Sequence, residues 1–252
     1  MTLGEDVVQL VIDQVAEVQA EQPDLELTLE YTGEMLVRGT VRFSIDHEGR
    51  TYRDAYRVQI AIPPDYPESV PTAKETAEAI PADFHRFLKT GNLCLAAPVE
   101  LMRVFAQNRS LLHFTNRLLI PYLFSYTYYR EHGQLPHGEL SHGLLGLLEY
   151  YREFFGVGVI KAMKLLKLLA DAFAPPLMPC PCDSSRTLQD CHGPKLDELR
   201  PLLPAEHFEA DLRDMIAAAQ TAKLPLPERD VMPKRMWKNR QKRIRKASAR
   251  RR

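Results

Sequence analysis

Six prolines fall within residues 63–98, and they limit the fold of this chain more than any other feature of its sequence. They are Pro63, Pro64, Pro67, Pro71, Pro81 and Pro98. Proline has no backbone N–H and a fixed φ, so neither a helix nor a central strand can run through such a segment. A long irregular segment inside a compact domain is uncommon, and it is usually functional. We therefore expect regular elements on either side of it and a functional role within it.

The residues before this segment predict one helix and an antiparallel sheet. Apolar residues recur at intervals of three and four over residues 5–21, which is typical of an amphipathic helix. Three later runs alternate apolar and polar residues, over 25–29, 35–45 and 52–62. An Asp-His-Glu-Gly turn at 46–49 joins the last two runs. We predict a meander of three or four antiparallel strands.

The residues after the segment predict helices. Apolar residues at helical spacing indicate helices over 101–105, 111–129, 144–155, 159–173 and 206–222. Pro121 should kink the second of these. The predicted order is a helix, a meander, an irregular segment and then further helices. This order is typical of an α+β fold whose helices pack on the sheet.

Composition divides the chain into four predicted parts. Residues 1–130 hold the first helix, the sheet and the first later helices. Residues 131–176 are predicted to be a helical extension, which ends at a proline-rich boundary. Residues 177–224 contain three cysteines and a helix, and residues 225–252 form a basic tail that we expect to be disordered.

Charge is distributed unevenly between the body and the tail. The chain has no formal net charge, but residues 234–252 contain eleven Lys and Arg and no acidic residue, so the preceding residues carry a net charge of minus eleven. Such a tail is usually solvated, and it can also bind an acidic partner or nucleic acid by neutralising phosphates. Trp237 is its one aromatic residue, and no nucleic-acid recognition motif is visible.

The sequence shows no targeting signal. It contains no run of about 18 apolar residues, so we expect no transmembrane helix and no membrane partner. The first six residues lack the basic and apolar regions of a signal peptide. We therefore expect a cytoplasmic protein, in which cysteines do not form structural disulfides. Its four cysteines must then be metal ligands, nucleophiles or packing residues.

Three of the four cysteines lie in one short pattern. Cys180, Cys182, Cys191 and His192 follow the spacing C-x-C-x8-C-H. Three thiolates and an imidazole satisfy tetrahedral zinc, so we predict one structural zinc ion. A closed site with four protein ligands leaves no position for a substrate, which argues against a catalytic role for the metal. The alternative is a group of reduced, half-buried cysteines without a metal.

This pattern is similar to the SEC-C motif, a small zinc-binding appendage found in the protein-translocation ATPase and on many bacterial proteins. In that family the fourth ligand is Cys or His, and His192 takes that place here. The chain departs from the family at Asp183 and Ser185, where glycines are usual. The departure concerns the loop between the ligands and not the ligands themselves.

Cys94 is the one cysteine outside this pattern. It follows Gly91-Asn92-Leu93 within the proline-rich segment and does not lie on an apolar helix face. A lone cysteine between two leucines is more often a small buried hydrophobe than a nucleophile. Its surroundings favour the nucleophile, because a proline-marked turn and a glycine loop precede it.

The order of these features resembles the catalytic half of the ubiquitin-conjugating (UBC) fold. In that family an edge strand leads to a Tyr-Pro-x-x-x-Pro turn, here Tyr66, Pro67 and Pro71, and then to Gly-x-Ile/Leu-Cys-Leu, here residues 91–95. The resemblance covers roughly residues 5–129. It implies that the helix, the meander and the irregular segment together form a conjugating domain.

The resemblance also implies a transferase. Cys94 corresponds to the thioester-forming cysteine, which accepts a ubiquitin-like modifier from an activating-enzyme-like protein and passes it to an amine or another nucleophile of a protein target. Divergent bacterial members of the family point to a conjugation pathway used in defence against phage. A thiol with a pKa of about 8.5 is only a few per cent ionised at neutral pH. We therefore expect a cation near Cys94, with His85, Arg86 and Lys89 as candidates.

One feature of the UBC family is incomplete in this chain. The family carries a His-Pro-Asn triplet upstream of the cysteine, whose asparagine stabilises the oxyanion of the transfer step. The equivalent residues 84–87 keep the histidine, His85, but lack the proline and the asparagine. Oxyanion stabilisation contributes about 3–4 kcal/mol, so a catalyst needs a replacement. Asn92, Asn108 and His113 are the candidates.

Two other functions remain open at this point. A relative of the UBC fold without catalysis would be an interaction scaffold, in which Cys94 is merely buried. Alternatively, the zinc module and the basic residues 234–252 would make a nucleic-acid-binding protein.

Overall fold

The computed structural model describes residues 5–136, 144–221 and 225–249. Contacts divide the chain into two units, residues 1–139 and 140–252. Parts of the predicted helical extension, of the module that follows it and of the tail lie outside the described residues, at 137–143, 222–224 and 250–252. Among the described residues, no helix is long and apolar enough to cross a membrane.

The first unit begins with a helix and continues as a four-stranded antiparallel sheet, as predicted. Helix α1 spans Glu5–Glu21. The strands lie side by side in the same order as in the sequence: β1 (Glu26–Leu29), β2 (Met35–His47), β3 (Arg50–Ile62) and β4 (Thr72–Glu75). One apolar core holds the buried side of α1, with Val11 and Val15, and the inward residues of the sheet, with Val41 and Ile60. The apolar face predicted from the 3.6-residue period of α1 thus packs against the apolar face predicted from the 2-residue period of the strands.

Strands β2 and β3 form a long hairpin in which every residue of β2 is paired. Gly39 of β2 has a φ of +148° and lies against the segment that enters β1. A Cβ atom at this position would lie 1.8 Å from the carbonyl oxygen of Asp24. Glycine is therefore the residue that allows this close backbone approach.

Strand β4 lies inside the proline-rich segment, where the sequence shows no periodicity. It pairs with β3 from Val58 opposite Glu75 to Ala61 opposite Thr72, and it forms one edge of the sheet. Pro71 directly precedes the strand, so no proline interrupts its hydrogen bonds. The strand brings an edge of the sheet to the segment that carries Cys94.

Three helices and a π turn complete the first unit. They are α2 (Pro98–Phe105), α3 (Leu111–Phe114), the π turn (Thr115–Leu119) and α4 (Ile120–His132). The sequence predicts one kinked helix over 111–129, and the structure instead divides it at the π turn. Pro121 lacks an amide hydrogen, and the wider turn before it accommodates the missing donor. Helix α4 packs on β2 and β3.

The second unit is helical. Its helices are α5 (Leu144–Phe155), α6 (Val159–Ala170), α7 (Gly193–Leu199), α8 (Ala205–Thr221), α9 (Glu228–Val231) and α10 (Lys234–Ala249). Helices α5, α6 and α8 pack against one another. Helices α9 and α10 occupy the tail, where the sequence predicts disorder. Residues 234–249 contain neither proline nor glycine, and eight of the sixteen are Lys or Arg, which favour helix.

Candidate active site and candidate metal centre

Cys94 ends a short hairpin that begins at His85. Arg86 and Leu93 form an antiparallel bridge, and the Cys94 N–H donates to the carbonyl oxygen of His85 at 2.7 Å. Gly91 lies in the turn with a φ of +72°, which glycine adopts without strain. The glycine loop of the sequence is therefore a hairpin turn, and it brings His85 and Cys94 onto facing strands.

Hydrogen bonds attach the base of this hairpin to the sheet and to α4. The Leu93 N–H donates to the carbonyl oxygen of Ala73 in β4 at 2.8 Å. The Tyr122 hydroxyl of α4 donates to the carbonyl oxygens of Phe84 and His85, at 3.0 and 3.3 Å. Cys94 thus lies at the anchored end of the hairpin and not at its tip.

A buried ion pair holds Arg86 of the hairpin. Its Nη2 lies 2.8 Å from Oε2 of Glu75, whose side chain is fully buried. The Glu75 carboxylate also accepts hydrogen bonds from the backbone N–H groups of Ala77 and Ile80. A buried charge that loses its partner costs about 3–5 kcal/mol, so this pair fixes the hairpin strongly in place. The sequence does not single out Glu75, because its partner lies eleven residues away on another element.

The thiol of Cys94 is half-buried, and burial raises its pKa. Desolvation is the cause of this shift, and the expectation of an activating charge from His85, Arg86 or Lys89 stays a prediction. Arg86 is paired with Glu75, and Lys89 is exposed near the hairpin tip. The thiolate fraction at neutral pH is consequently lower than that of an ordinary cysteine.

His85 has a backbone conformation that is uncommon for a residue with a side chain. Its φ is +42°, in the left-handed region, and its ring packs edge-on against Phe84 with the centroids 4.9 Å apart. Such a conformation costs about 1–3 kcal/mol and persists only where neighbours hold it. Here two donors, the Cys94 N–H and the Tyr122 hydroxyl, hold the His85 carbonyl oxygen.

The three oxyanion candidates do not lie together. Asn92 belongs to the hairpin that carries Cys94, and its carbonyl oxygen accepts from a facing N–H. Asn108 and His113 line a cleft of about 710 Å³ beside α1, and Cys94 is not among the residues that line it. Nε2 of His113 is also paired with the carbonyl oxygen of Val104 at 2.9 Å. Of the three candidates, only Asn92 shares an element with Cys94.

Tyr122 belongs to this site although the sequence indicates only an aromatic core residue. Burial raises the pKa of its phenol; the charge of Arg86 opposes this shift, and a charge on Cys94 adds to it. The phenol therefore stays protonated, and its proton is donated to the hairpin backbone. No sequence signal separates Tyr122 from the other tyrosines of α4.

The four predicted metal ligands come together in the second unit. The three sulfurs and a ring nitrogen of His192 all lie within 4.8 Å of one another. Nδ1 of His192 is 3.3 Å from Sγ of Cys180 and 3.1 Å from Sγ of Cys191. Sγ of Cys182 is 3.4 Å from Sγ of Cys191. Tetrahedral zinc separates such atoms by about 3.5–3.8 Å, so this cluster has the dimensions to hold one metal ion.

Neighbouring groups orient these ligands. Nε2 of His192 lies 2.9 Å from the carbonyl oxygen of Phe155, at the end of α5. With its proton on Nε2, the imidazole presents a lone pair on Nδ1, which is the atom in the cluster. Nη2 of Arg186 donates to Sγ of Cys191 at 3.2 Å, and Oγ of Ser184 lies 3.2 Å from the same sulfur. Three thiolates with a divalent ion would carry a net negative charge, which Arg186 would partly offset.

The thiols of the cluster differ in acidity. Burial raises the pKa of Cys180 to about 11. Burial acts in the same sense on Cys182, but hydrogen bonds from Ser184, Cys180 and Cys191 outweigh it and lower the pKa to about 6. Of these two thiols, Cys182 is the one whose surroundings favour the thiolate, which is the form that binds a metal.

The loop between the ligands keeps a glycine-like backbone conformation at Asp183 and Ser185, the two positions where the SEC-C family usually has glycine. Asp183 and Ser185 have φ values of +62° and +59°, in the region that glycine adopts freely. The chain therefore keeps a glycine-type loop without glycine, which costs roughly 1–2 kcal/mol for a residue such as serine. The Cys180 N–H closes the loop by donating to the carbonyl oxygen of Arg186 at 2.9 Å.

Comparisons of the chain with models of protein families, with curated proteins and with solved structures found no match. The resemblances to the UBC family and to the SEC-C motif thus depend on the residues quoted for them.

Proposed function

We propose that this protein is a ubiquitin-conjugating-like transferase with a structural zinc module. Cys94 accepts the C-terminal acyl group of a ubiquitin-like modifier from an activating-enzyme-like protein and passes it to an amine or another nucleophile of a protein target. The observation that supports this proposal most is the placement of Cys94, a half-buried thiol at the anchored base of a hairpin beside the sheet edge. The family resemblance alone suggests a bacterial pathway directed against phage.

The proposed chemistry is two acyl transfers. The Cys94 thiolate attacks the carbonyl carbon of the activating enzyme's thioester, and the thiolate of that enzyme leaves. The target amine then attacks the new thioester, and the Cys94 thiolate leaves with loss of a proton from the amine. Each step forms an oxyanion that needs a donor. The N–H groups of Cys94 and Leu93 are already bonded to carbonyl oxygens, so we assign the role of donor to the Asn92 side chain.

The cluster of Cys180, Cys182, Cys191 and His192 is, on this proposal, a zinc site. Three thiolates and one imidazole are a common structural set for zinc, and they fill all four positions of a tetrahedron. Its role is to stabilise the second unit, because His192 joins the loop to the end of α5 through the Phe155 carbonyl oxygen. A reduced thiolate cluster also fits the cytoplasm.

Reconstitution tests the transferase. The full chain is incubated with an activating enzyme from the same source, its ubiquitin-like modifier and ATP, and the products are separated with and without a thiol reductant. We expect an adduct that the reductant removes and that Cys94→Ala abolishes. Leu88→Ala, a change at an exposed position of the same hairpin, should keep the adduct. With a partner set that is active on another carrier, the absence of an adduct on this chain would refute the proposal.

One observation favours a second function, that of an interaction scaffold. Burial raises the pKa of Cys94, which is expected of a cysteine that packs and does not react. A scaffold predicts that Cys94→Ala keeps full biological activity in the source cells. A transferase predicts that the same variant is inactive while its expression and fold are unchanged.

A further inference from the structure

Helix α10 presents a basic face to solvent. Its side chains are described as far as Lys242, and the exposed ones include Lys234, Arg235, Lys238 and Lys242. Residues 234, 238 and 242 are four apart, so they follow one side of the helix at intervals of about 6 Å. We call these four residues the basic face.

The opposite side of α10 packs against its own unit. Met236, Trp237 and Arg240 are half-buried, and Arg240 forms an ion pair with Glu228 of α9. At the start of the helix, the Lys234 N–H donates to Oδ1 of Asp171 at 2.7 Å. The apolar and paired residues thus hold the helix. Nζ of Lys234 also lies over the Phe173 ring, 4.3 Å from its centroid, whereas Arg235, Lys238 and Lys242 are exposed to solvent.

The charge of the basic face is not neutralised by the protein. Helix α10 contains no acidic residue. Within the part of the chain that the structure describes, Arg235, Lys238 and Lys242 form no ion pair with an acidic side chain. A row of unpaired cations costs self-repulsion, which an anionic partner would remove.

We propose that the basic face binds the phosphate backbone of nucleic acid. Charge complementarity supports this partner, since phosphates recur about every 3.4 Å along each strand of a duplex and can meet cations placed about 6 Å apart. A helix of this kind also fits the major groove, which is about 12 Å wide. Contacts to phosphate position a protein without reading the bases, so we expect this binding to be independent of sequence.

A lipid surface fits this helix less well. Helices that lie on membranes place Trp, Phe or Leu on the side that enters the lipid. In α10 the two described apolar side chains, Met236 and Trp237, are half-buried against the protein and lie outside the basic face. The basic face and Cys94 lie in different units, so this proposal and the transferase proposal can fail independently.

Salt-dependent binding of the full chain tests the proposal. Fluorescence anisotropy measures binding to a labelled 20-base-pair DNA duplex at about 50 to 200 mM salt. Each neutralised phosphate contributes about −0.9 to the slope of log K against log salt, so the described face predicts a slope of about −3.6 or steeper. The triple variant R235Q/K238Q/K242Q should reduce the magnitude of the slope by about 2.7.

A matched control removes the same charge elsewhere. Arg53, Arg57 and Arg213 are exposed and lie outside α10, and R53Q/R57Q/R213Q should leave the slope unchanged. If both triple variants reduced the magnitude of the slope equally, the effect would be one of net charge alone, and the proposal would be overturned. So would the absence of duplex binding at 50 mM salt, or equal binding to poly-glutamate. Binding to anionic vesicles but not to the duplex would identify a membrane as the partner instead.

Discussion

Replacing Ser185 by glycine should tighten metal binding. Ser185 has a φ of +59°, which costs a residue with a Cβ atom roughly 1–2 kcal/mol. Glycine removes this strain, but it adds about 0.5–1 kcal/mol of chain entropy to the unfolded state. The net gain is about 0.5–1 kcal/mol. Because metal binding and folding are coupled in such modules, Ser185→Gly should bind zinc about two- to fivefold more tightly.

Ser184→Gly is a matched control, and its effect on zinc binding should have the opposite sign. The backbone of Ser184 is not in the left-handed region, and its Oγ lies 3.2 Å from Sγ of Cys191. Ser184→Gly loses this contact and gains chain entropy in the unfolded state, so it should weaken zinc binding by about 1 kcal/mol. Asp183→Gly should fall between the two, because it relieves strain but loses the exposed ion pair with Lys161.

Competition with a chromophoric chelator measures all three effects. Wild type and the three glycine variants compete with the chelator for a limiting amount of zinc at neutral pH. The predicted order of affinity is Ser185→Gly, then wild type, then Ser184→Gly. Weaker binding by Ser185→Gly, or tighter binding by Ser184→Gly, would show that the loop conformation does not control the site.

Three further predictions concern the first unit. Arg86→Met leaves the Glu75 carboxylate buried and unpaired, so the free energy of unfolding in urea should fall by about 3–5 kcal/mol; a loss below about 1 kcal/mol would contradict the buried pair. Gly39→Ala places Cβ against the Asp24 carbonyl oxygen and should cost on the order of 3 kcal/mol, whereas an unchanged urea midpoint would contradict the close approach. Burial raises the pKa of Cys94, so its alkylation by iodoacetamide should keep accelerating above pH 9.0, and a plateau below that value would count against the raised pKa.

The parts of the structure that the sequence predicts have strong local signals. Helix α1 begins and ends at the predicted residues, because its apolar residues keep one period over 17 positions. The long hairpin of β2 and β3 follows from alternation over two strands of 13 residues each. The metal ligands follow from spacing alone, since a loop closes them into one cluster without a large core.

The remaining features depend on contacts between distant residues or on short elements. Strand β4 has four residues, too few for alternation to be visible. The pairing of Glu75 with Arg86 and of Tyr122 with the hairpin is set by the fold, and no local pattern records it. The raised pKa of Cys94 likewise follows from burial, which the residues beside it do not reveal.

The most direct test of the transferase proposal is the chemistry of the bond at residue 94. Intact mass measurement and peptide mapping follow wild type and Cys94→Ser after incubation with the activating enzyme, the modifier and ATP. The proposal predicts a wild-type adduct that a thiol reductant cleaves, and a Cys94→Ser adduct that resists the reductant but is cleaved by hydroxide, both at residue 94. An adduct at any other residue, or one on Cys94→Ala, would contradict a thioester on Cys94.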